Sequence, residues 1–183
     1  MISGAELLKL EQEARRAGSG IAPETIIGEW WLQQLWGRQG QVQGAAAALL
    51  RSLSACLAIT EARAAEAGSA EARSDAARTD IETRRMALEL RNSVRLGPLE
   101  LRFTGPGRLC GRRPLLRFHF ERMQLLWLEK PLWEASLPPP AADKEPFFAL
   151  IAAGPDRHQG AAKGWLAARG RGGGLALWSL TPV

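Results

Sequence analysis

The sequence predicts a mainly β protein, an antiparallel sandwich or barrel preceded by one α-helix. Three observations carry this. Segment 86–96, "MALELRNSVRL", sets Met86, Leu88, Leu90, Asn92, Val94 and Leu96 on one parity and Ala87, Glu89, Arg91, Ser93 and Arg95 on the other, as in a strand with one buried and one solvated face. Short alternating runs separated by Gly/Pro turn chemistry follow it, the pattern of an all-β domain. The chain opens instead on a helix start signal. At 183 residues it suits one domain with a sizeable core.

Residues 1–20 hold the helix. Ser3 caps it, Glu6 completes a capping box, Leu7, Leu8, Leu10 and Ala14 form an apolar face, and Gly18 and Gly20 end it. The barrel or sandwich then occupies 24–183. In "TIIGEWWLQQLWG" both parities are apolar: Ile27, Trp31 and Leu35 on one, Trp30, Leu32 and Trp36 on the other. That fits an opening strand buried against the core on one side and under the helix on the other, with Gly28 supplying a bend. "GAAAALLRSLSACLAIT" is ambiguous, since its Ala content favours helix while Leu53, Ala55, Leu57 and Ile59 alternate. Segment 61–80 is a charged, low-complexity insertion, expected to be an exposed connection.

After the 86–96 strand, Gly97-Pro98 breaks the pattern and Leu99, Leu101 and Phe103 resume it. "TGPGR" (104–108) has the composition of a turn. In "PLLRFHFERMQLLWL", Leu116, Phe118 and Phe120 face one way and Arg117, His119 and Glu121 the other. Residues 136–146 form a proline-rich loop. "FFALIAAG", "KGWLAARG" and "GLALWSL" are the closing strands. The glycines between the last two are a hairpin turn with Gly170 to Gly174 supplying positive φ. A phosphate loop would need a helix after the glycines, and an RGG nucleic-acid tract would be repeated.

Composition excludes several functions. Two cysteines, Cys56 and Cys110, make neither a disulfide framework nor a metal site and are expected to be buried apolar thiols. Two histidines leave little for acid–base or metal chemistry, and no Ser/His/Asp or paired-carboxylate arrangement stands out. A non-enzyme with no cofactor and no metal is expected. No apolar run is long enough for a membrane span, and the N-terminus lacks a secretory or transit signal. The expected location is cytoplasmic or peripheral on a membrane. The net charge of +5 would suit anionic lipid or nucleic acid, while the excess of Arg over Lys, 20 against 4, fits either phosphate or carboxylate recognition or a GC-rich coding sequence.

Several motifs resemble the plastid lipid-associated protein (fibrillin) family. "GEWWL" is similar to its opening G-x-W-x-L strand, "ELRNSVRLGPLELRFTGPGRL" to its E-N-S-V-x-F segment, "LLRFHFERMQL" to its aromatic strand, and "RGRGGGLALWSL" to its R-G-D-G-G-x-hydrophobic end. The order also agrees, over roughly 24–180. Arg171 stands where the family has an acid, and 61–80 lies outside the resemblance. The resemblance implies a lipocalin-like β-barrel. It further implies non-catalytic binding of lipid or isoprenoid-type ligands (lipids, quinones or carotenoids) at thylakoid membranes, in a cyanobacterial-type member. A protein partner is also implied, through support of prenyl-lipid enzymes.

Gly28-Glu29-Trp30 also resembles the lipocalin G-x-W, whose Trp packs at the closed end of the barrel beneath an Arg of the last strands. Here that implies a Trp30–Arg169 stack. The cavity candidates are Asn92, Phe118, Phe120 and Arg122. Asn92 sits on an apolar parity, so its amide either bonds to a neighbour or lines a ligand cavity. Arg122 continues the parity of Phe118 and Phe120, and in a regular strand its guanidinium would enter the barrel and need an anion. Met123 and Leu125 take up the apolar pattern on the other parity, which a bulge at Glu121–Met123 would produce, turning Arg122 outward. Trp127, Trp133, Phe147 and Phe148 are expected in the core or at the rim, where aromatics can touch a membrane interface. His119 lies on the polar face. The alternatives to ligand binding are a filled-barrel interaction scaffold and, further off, an Arg-rich nucleic-acid binder.

Overall fold

The computed structural model describes residues 2–44, 55–62, 87–155 and 164–180. Helix α1 (Gly4–Ala17) starts at the expected capping box: the Glu6 backbone N–H donates to Ser3 Oγ, and Glu6 accepts from the Ser3 backbone N–H. A 3₁₀ turn, Pro23–Ile26, follows. Ten strands come after it among the described residues: β1 (Gly28–Trp36), β2 (Cys56–Glu61), β3 (Leu88–Leu96), β4 (Leu99–Cys110), β5 (Leu115–Phe118), β6 (Arg122–Trp127), β7 (Lys130–Ser136), β8 (Phe147–Pro155), β9 (Gly164–Gly170) and β10 (Leu175–Leu180).

Every pairing is antiparallel. The order β3-β2-β1-β10-β9-β8-β5-β4 closes on itself through β3–β4. The fold is therefore a closed, eight-stranded, lipocalin-like barrel with one helix outside it, as the resemblance implies. β6 and β7 continue the sheet from β4 as a flap, and β7 has a free edge. Met86 and most of the 61–80 insertion lie outside the described residues.

Three bulges set the shape. The segment 115–127 runs along β4 as one strand, but Phe118 pairs with Gly107 and Arg122 with Thr104, so it carries one residue more than β4 does. The kink brings His119 and Phe120 across Gly105, where an added Cβ would lie 2.0 Å from the His119 carbonyl oxygen. This explains why "TGPGR" is not a turn. Gly105 makes room for the crossing strand and Gly107 for the Leu90 side chain, inside an unbroken β4. In β1 the register shifts between Leu32 and Gln34, so Trp30, Leu32 and Leu35 join the inner core while Trp36 packs outside under Leu7. In β8 the shift between Leu150 and Ala152 sends Leu150 inward and Ile151 to the helix side.

The strand 86–96 forms as expected from Leu88 on, with Leu88 and Leu90 fully buried and Glu89 and Arg95 exposed. Three expectations fail there: Arg91, on the solvated parity, and Val94 are both half-buried, and Leu96 is 64% exposed. Val94 and Leu96 lie toward the end of the barrel that stays open. β7 has no expected counterpart. Its turn from β6 uses Leu128 (φ 46°) and Glu129 (φ 67°), a left-handed pair that carries none of the usual Asn-Gly chemistry.

Candidate functional site

The barrel has a filled end and an open end. At the filled end, Ile26 of the 3₁₀ turn, Trp30, Ile59, Leu88, Leu90, Leu116, Leu150 and Leu166 are each no more than 2% exposed. The Trp30 indole N–H donates to the Ile26 carbonyl at 2.7 Å, satisfying the one polar atom in that packing and fixing the plug. The closed-end position implied for Trp30 is thus occupied, but the Trp30–Arg169 stack does not form. Trp30 pairs with Leu180 and Arg169 with Leu175, five residue steps apart along β10, or roughly 17 Å. The two side chains also sit on opposite faces of the wall.

Arg169 does something else. It donates to Glu11 of α1 from Nε at 2.7 Å and from Nη2 at 2.5 Å, and Nη1 reaches the Gly173 carbonyl. Arg15 and Arg113 also donate to Glu11, each at 2.9 Å. Burial alone would raise the Glu11 pKa, but Arg169 and Arg15 outweigh it and hold the carboxyl at about 2. This clamp fastens α1 to the outer wall over Trp36, Ile151, Ala167, Leu175 and Leu177. Sequence reasoning missed it because Glu11 is an ordinary helix-surface acid until its partners, up to 158 residues away, are known.

Toward the open end lies a cavity of about 330 Å³. Phe118, Phe120, Phe148 and Trp178 make one wall, in a chain of ring contacts with centroids 5.3–5.4 Å apart. Phe103 extends this chain at 5.5 Å from Phe120. Leu32, Leu35, Leu57, Val94 and Ala176 supply aliphatic surface. None of the described lining side chains is charged. Among the described residues the lining carries two strong hydrogen-bonding side chains, the Trp178 indole N–H, which can only donate, and Asn92, which can both donate and accept and whose amide has no partner. Cys56 also lines it, with burial pushing its thiol up to about 11, so it stays protonated. Gly170 and Gly174 stand at the rim.

Of the expected cavity residues, Asn92, Phe118 and Phe120 come together here and Arg122 does not. The bulge in 115–127 turns Arg122 outward, where it faces Glu134 at 3.5 Å with its side chain more than half exposed. Among the described residues, therefore, no guanidinium enters the cavity. Leu35, Leu57, Ala176 and Trp178 were legible as apolar strand positions, but only the register shows that they face one space.

The glycine turn forms the hairpin between β9 and β10, at the cavity mouth. Among its glycines only Gly173 has positive φ, at 86°. Arg38 donates to the Gly172 carbonyl at 3.1 Å. Arg171 donates to the Asp143 and Glu145 carbonyls, tying the turn to the proline-rich loop. Glu145 is itself buried and accepts from Arg108 at 2.8 Å and Arg117 at 3.3 Å. Glu100 is buried likewise, and Arg102 and Arg95 overcome the effect of burial to hold its carboxyl below the usual range. Most of the described arginines are thus engaged with carboxylates and loop carbonyls.

Trp127, Leu128, Leu132 and Trp133 of the β6–β7 flap are 47–66% exposed. Trp127 and Trp133 therefore stand at the surface rather than in the core. Among the described residues no helix is long and apolar enough to cross a membrane, and no group of three or more His, Cys, Asp or Glu could hold a metal ion. Comparison with family models, with curated proteins and with solved structures finds no match.

Proposed function

We propose that the protein is a non-catalytic binder of a hydrophobic small molecule of the lipid or isoprenoid type, held in the open half of the barrel. One observation carries this: the open half encloses about 330 Å³ lined by apolar side chains, while the other half is packed solid. That volume lies at the low end of small-molecule sites, about 300–1,000 Å³. It suits a compact molecule, or one segment of a longer one whose remainder lies at the mouth. The photosynthetic-membrane setting, and a cyanobacterial-type member of the fibrillin family, rest on the resemblance of the sequence motifs alone.

A role in protein interaction draws on a different observation, the exposed apolar flap of β6 and β7, a surface of the kind that mediates association or peripheral membrane contact. A nucleic-acid role has less support, because the arginines that would form a basic stripe are engaged with Glu11, Glu100 and Glu145. The test is fluorescence titration with the neutral apolar dye phenylnaphthylamine, followed by displacement with lipids, quinones and carotenoids. Saturable uptake of one dye per chain, reversed by at least one of these classes at micromolar concentration, is expected. Absence of any saturable uptake would shift the function to the exposed flap.

A further inference from the structure

We propose that the cavity selects an uncharged, flat, conjugated ring carrying one hydrogen-bonding oxygen directed at Asn92, and discriminates against acids and purely saturated chains. This rests on the ligand-binding proposal above and names the chemistry the site takes.

Three features of the lining point the same way. The first is the wall. Phe118 and Phe148 stack with planes 29° apart, and Trp178 meets Phe148 edge-on at 72°. These rings, with Phe120, line the cavity together, and a flat π-system gains offset-stacked or edge contacts with such a wall that a saturated chain cannot make. The second is Asn92. Its backbone is held in β3 between Leu57 and Phe103, so its position is fixed by the barrel while its amide stays unpaired among the described residues. An amide offers both donors and acceptors, so a carbonyl or hydroxyl on the ligand satisfies it, whereas a hydrocarbon leaves it desolvated and unbonded. The third is the absence of charge. With no cation among the described lining side chains, a carboxylate held there loses its hydration unpaired or takes up a proton.

The experiment is competition against phenylnaphthylamine with compounds of matched size. Acetylnaphthalene has the ring and a carbonyl, and ethylnaphthalene has the ring alone. Naphthoic acid has the ring with a carboxylate, and acetyldecalin has the carbonyl on a saturated frame. In native protein at neutral pH, acetylnaphthalene is expected to bind about tenfold more tightly than ethylnaphthalene, the worth of one hydrogen bond. It should also bind several-fold more tightly than acetyldecalin. Naphthoic acid is expected to be at least about tenfold weaker than the ketone and to gain affinity as pH falls, because protonation removes the unpaired charge. In Asn92→Leu the ketone and the ethyl compound are expected to converge while dye uptake persists.

Equal affinities for ketone and hydrocarbon in native protein would overturn the proposal, as would a ketone advantage that survives Asn92→Leu, or naphthoate binding as tightly as the ketone at neutral pH. Should Asn92→Leu not fold, Asn92→Ser and the native ranking still decide it. If the dye itself is not taken up, the ligand-binding proposal fails and this one falls with it. Uptake of the dye without the expected ranking removes only this one.

Discussion

The two halves of the barrel are built from the same strands and stabilised in different ways. At the plugged end the interior is full: Ile26, Trp30, Ile59 and Leu88 meet on the axis and the wall is held from within. At the open end the same wall surrounds a cavity and is held from without. There Leu7 of α1 packs on Trp36, Leu175 and Leu177, the outward residues of the strands whose inward residues line the cavity. The Glu11 clamp and the arginine ties to the glycine turn lie on the outside as well. Where the interior is left unfilled, the same wall gains packing and ion pairs from the external helix.

Substitutions in the two halves should therefore fail differently. Trp30→Ala removes a fully buried ring and a satisfied hydrogen bond at the plug, and about 3–5 kcal/mol of stability should go with it. Phe120→Ala, in the half-buried ring wall, should cost less than half of that and weaken dye binding more than it lowers the melting temperature. Comparable stability losses would mean that the open half is not loosely filled.

Next in size is the external brace. Glu11→Gln leaves Arg169, Arg15 and Arg113 without their carboxylate, and about 3 kcal/mol is expected to be lost at neutral pH. The sign in pH follows from the depressed native pKa: the contribution is complete above the ordinary value of 4.5 and is lost as pH falls toward about 2. Melting curves of native and Glu11→Gln protein should accordingly differ most near neutrality and converge in acid. A constant gap between them at all pH values would remove the clamp from the account.

The rim gives a smaller and sharper contrast. Gly173→Val must adopt a left-handed φ and collides with Arg38, whose Nε lies 2.6 Å from the added Cβ, whereas the Cβ of Gly172→Val meets nothing within 4 Å. About 1–3 kcal/mol is expected for the first and within about 0.5 kcal/mol for the second, read by chemical denaturation. Equal effects would mean that the turn is not held in this geometry.

Much of this contrast was legible in the residues. The capping box, the two apolar faces of the opening strand, the 86–96 strand and the closing hairpin all follow from local periodicity and turn chemistry. So does the placement of Asn92, Phe118 and Phe120 on inward parities. The bulge that turns Arg122 outward was signalled as well, by the switch of the apolar pattern to Met123 and Leu125. What escaped depends on close crossings or distant partners. Gly105 looks like turn chemistry because a close strand crossing also demands a residue without a side chain. β7 was hidden by a left-handed Leu128–Glu129 turn and by Pro131, which a strand edge tolerates. Trp30 and Arg169 were paired by motif, and only the register separates them.

The central claim is that the open half holds its ligand in the space left unfilled. Ala176 faces that space and is buried, so Ala176→Leu should fill part of it without overpacking and with a stability change within about 1.5 kcal/mol. Titration of native and Ala176→Leu protein with phenylnaphthylamine, alongside their melting temperatures, is the most direct measurement. Saturable one-to-one uptake by the native chain is expected, with at least about tenfold weaker uptake by the variant, at a melting temperature equal to or above native. Unchanged dye affinity in a folded Ala176→Leu protein would contradict it, because the dye would then be bound somewhere other than the cavity.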